Sequence, residues 1–83
     1  MNRYRCWAPS DGQTADDGKL IDDLGYENAA ETYVERNFAR LDYPTEVEVA
    51  VAQYFGDDKP LGEENVFIVT VESVPLFYAR SKP

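Results

Sequence analysis

The sequence predicts a small α+β domain. An antiparallel sheet of roughly three to five strands carries one amphipathic helix on one face, in the order β-(β)-α-β-β-(β). Three observations predict it. Residues 45–55, TEVEVAVAQYF, alternate strictly, with Val47, Val49 and Val51 on one side. Residues 65–73, NVFIVTVES, form a second strand-sized run that is apolar on both faces at its centre. Ahead of both, Ala29, Ala30, Tyr33, Val34, Phe38 and Leu41 recur at helical spacing within residues 27–41. A chain of 83 residues holds one such domain, 1–83, and not two.

Taken in order, residues 3–8, RYRCWA, alternate as a strand, with Arg3, Arg5 and Trp7 on one side and Tyr4, Cys6 and Ala8 on the other. PSDG then has turn chemistry. Residues 19–23 fit either a short strand or an irregular approach to the helix. Glu27 or Asn28 is expected to cap that helix and Tyr26 to staple it. Arg36 and Arg40 suit its negative end, and Pro44 prevents its continuation. The alternation of residues 45–55 predicts a strand buried on one side. GDDKPLGEE reads as a hairpin loop, and LFYARS, after Pro75, as a last short strand or edge.

The net charge of −8, from 16 acids against 8 bases, has the wrong sign for direct nucleic-acid binding or for an anionic membrane surface. It attracts a basic partner and speeds its approach. Apolar runs are strand-sized, far short of the ~20 residues that span a bilayer. Cys6 is the sole cysteine, so no intrachain disulfide forms. Arg3 and Arg5 are not followed by the apolar run of a secretory signal, and a cytoplasmic location is expected.

Much chemistry is missing. The chain has no histidine, which removes the commonest general base and metal ligand. One cysteine cannot build a structural zinc site. The glycines at 12, 18, 25, 56 and 62 form no phosphate loop. No enzyme activity, cofactor or metal is expected. An EF-hand register starting at Asp11 meets Ala15, and one starting at Asp16 meets Gly18 and Leu20. Only a looser Ca²⁺ site from Asp16, Asp17 and backbone carbonyls is left as an alternative.

The acids are regional. From Cys6 to Glu35 the chain has eight acids and one base, Lys19. Asp11, Asp16, Asp17, Asp22 and Asp23 precede the helix. Glu27, Glu31 and Glu35 follow at i, i+4, i+8 and share one ridge, a spacing that mildly disfavours the helix. Solvation alone accounts for many charge runs. A docking surface for a basic partner accounts for this one's concentration, and these eight acids are its candidate residues. Trp7, on the same face as Arg3 and Arg5, is added as an aromatic anchor on a partly exposed edge with a cation–π contact. Arg3, Arg5, Arg80 and Lys82 cluster at the two termini. If the terminal strands are adjacent, the molecule is dipolar, and self-association as a homodimer or assembly protein, head to tail, by sheet edges or through aromatics, is the competing expectation.

Tyr4, Arg5, Trp7, Pro9, Gly12, Gln13, Thr14 and Asp17, followed by Ala29, Ala30 and Glu31, give the first half a pattern that resembles small acidic proteins encoded by phages and prophages of Gram-negative bacteria. Anti-CRISPR proteins are similar in size and charge. The resemblance implies a phage or prophage origin; joined to the regional acids and the Glu27–Glu31–Glu35 ridge, it leads us to expect a phage-type inhibitor in the bacterial host cytoplasm. Such a nucleic-acid mimic would occupy the basic nucleic-acid-binding surface of a host defence complex without catalysis.

Overall fold

The two valine-rich segments build the centre of the molecule because each can bury a whole face. In the computed structural model, which describes residues 1–38, 45–73 and 76–82, they form β3 (Thr45–Gln53) and β4 (Glu64–Ser73). The two are antiparallel, with Val49 opposite Phe67. On the other side of β3 lies β1 (Asn2–Trp7), with Cys6 opposite Val51. The ambiguous residues 19–23 form a strand, β2 (Lys19–Asp23), antiparallel to β1 with Cys6 opposite Lys19. The strand β5 (Leu76–Ser81) pairs with β4, placing Val69 opposite Ala79. The sheet order is β2-β1-β3-β4-β5, all antiparallel.

The helix α1 (Tyr26–Phe38) crosses one face. Its first backbone bond runs from the Ala29 N–H to the Gly25 carbonyl at 2.9 Å. Gly25 therefore holds the cap position, and Glu27 and Asn28 lie inside the first turn instead of capping it. The reason is tertiary: Tyr26 packs on Tyr4 of β1, ring centroids 4.9 Å apart, and draws the helix start inward. The expected final turn with Arg40 and Leu41, and Pro44 and Pro75, lie outside the described residues.

Beneath the helix, Tyr4, Cys6, Ile21, Val49, Val51, Val69 and Val71 meet Ala29, Ala30, Tyr33 and Val34. Each fully buried side chain of valine size or larger contributes about 1.5–3 kcal/mol, more than a surface ion pair does. This layer dominates the stability of the fold.

The opposite face departs from the expected single-sided burial of β3. Two short 3₁₀ turns, Pro9–Asp11 and Ala15–Asp17, fold back over it. Ala15, Leu61 and Val66 pack around Trp7, Ala50 and Ala52. Trp7 is only 5 % exposed, so it fills a second small core and does not stand on an exposed edge. The cation–π contact is made elsewhere, by Arg5 over Tyr54 at 5.4 Å. Gly18 is required by close approach: a Cβ there would lie 2.6 Å from Arg5 Cγ.

The terminal strands are not neighbours, because β3 and β4 separate β1 from β5. Their bases are paired locally. Arg3 Nε donates to Asp22 at 2.8 Å, Lys82 Nζ to Glu48 at 3.0 Å, and Arg80 to Glu46 and Thr70. The expected dipole of terminal bases against acids is thereby replaced by pairs across the sheet.

Candidate protein-docking site

Antiparallel connectivity gathers distant segments at one end of the sheet. The start of β1, the end of β2, the start of α1, the β3–β4 loop and the end of β5 all lie there. Asp22, Asp23 and Glu27 from the first half thus join Asp57, Asp58, Glu63 and Glu64 from the second. The bases at this end are Arg3, Lys59 and Lys82, two of them held by carboxylates. Met1, Leu24 and Phe55 also surface here, at 85 %, 72 % and 54 % exposure.

Two open grooves mark this end. One, about 550 Å³, brings Glu27 and Asn28 of α1 towards Glu63, Asn65 and Ser81 over Tyr26 and Phe67. The helix start carries roughly half a positive charge, which two full carboxylate charges outweigh. The groove suits a cationic side chain with an apolar stem. The other, about 510 Å³, lies between Met1, Arg3 and Asp22 on one side and Tyr54, Phe55 and Gly56 on the other.

The structure distributes the sequence-derived candidates unevenly. Asp11 belongs to the first 3₁₀ turn, and its side chain is outside the described set. Asp16 is exposed, and Asp17 accepts the Thr14 N–H at 3.0 Å as a cap. Both lie at the far end of β2 from Asp22 and Asp23, roughly 17 Å of strand away. The aspartates therefore do not form one continuous patch. Asp23 accepts from the Leu24 N–H at 2.8 Å and from the Thr32 hydroxyl at 2.6 Å, which ties β2 to α1. Glu27 and Glu35 are exposed, as the ridge requires. Glu31 is not a free member of it: its Oε2 accepts the backbone N–H of Ala79 at 2.9 Å. A helix acid with no local partner serves here to close a strand, which answers why the like-charge spacing is kept at this position.

Burial pushes the Cys6 thiol up to about 12, so it stays protonated, with Sγ 3.8 Å from the Ala29 carbonyl. The hydrogen bond from Arg3 holds the Asp22 carboxyl below its ordinary range. Bonding to Asp57 raises the Tyr54 hydroxyl. Among the described residues, no three carboxylates or thiols converge as a metal site would require, and no helix is long and apolar enough to cross a membrane.

GDDKPLGEE reads in the sequence as a hairpin loop, and nothing there marks its acids Asp57, Asp58, Glu63 and Glu64 as neighbours of the helix start. No protein-family model, curated protein or solved structure matches the chain.

Proposed function

We propose that the protein is a non-enzymatic binding module that docks its acidic end on a basic, nucleic-acid-binding surface of a partner protein. In this reading it is an inhibitor of the kind phages encode, and it acts in the bacterial cytoplasm by excluding nucleic acid from a defence complex. The observation that carries the proposal is the groove in which Glu27 and Glu63, distant in sequence, flank an aromatic floor beside exposed Leu24 and Phe55. Acids supply steering and register, and the apolar residues supply contact area.

The test is a pull-down from bacterial lysate with the tagged protein and with a Glu27→Lys/Glu63→Lys variant, at low and high salt. Both carboxylates are exposed, so the variant keeps the fold. The expected result is a nucleic-acid-binding protein retained at low salt, displaced by added nucleic acid, and lost from the variant. Equal retention by the variant, or competition-insensitive capture, would refute the docking role.

A further inference from the structure

We infer that the protein pairs with a second copy of itself through the edge strand β2. This proposal is independent of the acidic-end docking. It starts from the direction of the backbone bonds. The Tyr54 N–H bonds the Arg3 carbonyl at 2.8 Å, so the odd residues of β1 bond towards β3 and the even ones towards β2. In β2 the residues opposite Asn2, Tyr4 and Cys6 are Asp23, Ile21 and Lys19. Leu20 and Asp22 therefore direct their N–H and C=O groups outward. Among the described residues nothing pairs with these groups, and both residues are exposed, Leu20 at 42 %.

A row of unpaired backbone groups is a template for another strand. The occupant follows from charge. Three twofold antiparallel registers satisfy the outward hydrogen bonds within β2. Asp22 opposite Asp22 sets like charges together, and Leu20 opposite Leu20 gains no ion pair. The third sets Leu20 opposite Asp22, Ile21 opposite Ile21, and Lys19 opposite Asp23 twice. Opposite charges directly across a strand pair are favourable, and like charges are not. Lys19 is the single base between Cys6 and Glu35, and it has no ion pair among the described residues. In this register it meets the Asp23 carboxylate of the second copy, whose oxygens have lone pairs beyond those used by Leu24 and Thr32. The sheet then runs through both copies, and their acidic ends point in opposite directions.

Four strand hydrogen bonds and a small contact area make a weak dimer, with Kd on the order of 100 μM. Sedimentation velocity at physiological ionic strength, from about 10 μM to about 1 mM, reads it directly. The expected mass rises towards twice the monomer. Lys19→Glu, at an exposed position, replaces both attractions by repulsions and weakens the dimer about tenfold. Leu20→Pro removes an outward N–H, leaves the bonds to β1, and abolishes pairing. Circular dichroism checks that each variant is folded. A monomer mass throughout the range overturns the proposal, as does a dimer that Lys19→Glu leaves unchanged.

Discussion

The strands β5 and β2 flank the same sheet, yet among the described residues the outward backbone of one edge is bonded by a helix side chain and that of the other is not. On β5, the Lys82 N–H bonds Val66 at 2.9 Å, so Ala79 points its N–H outward, and Glu31 of α1 accepts it. On β2, Asp23 is also tied to the helix, but through its side chain, and Leu20 and Asp22 keep their outward backbone groups. The difference teaches that one acid on a helix can be an interaction surface or a strand closure, depending on what lies beneath it. Edges left open expose a protein to pairing, and the two edges here are treated in opposite ways.

The comparison can be broken first at the entry to β2. Gly18→Ala drives a Cβ against Arg5 Cγ and to 3.0 Å from the Ala15 carbonyl, with backbone on one side limiting relief. The expected loss is about 1–3 kcal/mol by urea unfolding. Glu31→Ala comes next. It leaves the Ala79 N–H without its acceptor and costs about 1–2 kcal/mol. Amide exchange at Ala79 should accelerate while that at Ile21 moves only with global stability. An unchanged Ala79 rate would remove Glu31 as the closure of β5.

Cys6 sharpens the contrast from inside, since it lies in β1 directly behind β2. Its raised thiol favours the folded state below pH 9.0, and that contribution is lost as pH rises towards about 12. At pH 8 thiol labelling should follow opening of the structure. Labelling faster than global unfolding would show β2 parting from β1 alone. The smallest effect belongs to Asp22. Its lowered carboxyl favours folding above the ordinary value of 3.8, and the contribution fades as pH falls through the folded value. A carboxyl titration by NMR should place its midpoint below 3.8, and Arg3→Ala should return it upwards.

Legibility in the sequence followed periodicity. β3, β4 and α1 were readable because each repeats its apolar residues over several turns or pleats. β2 was readable only as one of two alternatives, since KLIDD has a single buried residue, Ile21, and so gives no alternation to count. Trp7 read as exposed because Arg3 and Arg5 share its side of the strand. Its cover, Leu61 and Val66, arrives from the other half of the chain. Of the candidate site, Asp22, Asp23 and Glu27 were read and do lie together. Asp16 and Asp17 were read with them and lie at the other end of the strand.

The sequence by itself determined the fold class, the negative charge and the lack of histidine, because these depend on composition and short-range period. The tertiary structure alone decided which acids are neighbours, that Glu31 serves β5 from 48 residues away, and which edge is open. Those properties depend on strand order and on the direction of each backbone N–H, which are fixed only when distant segments pair.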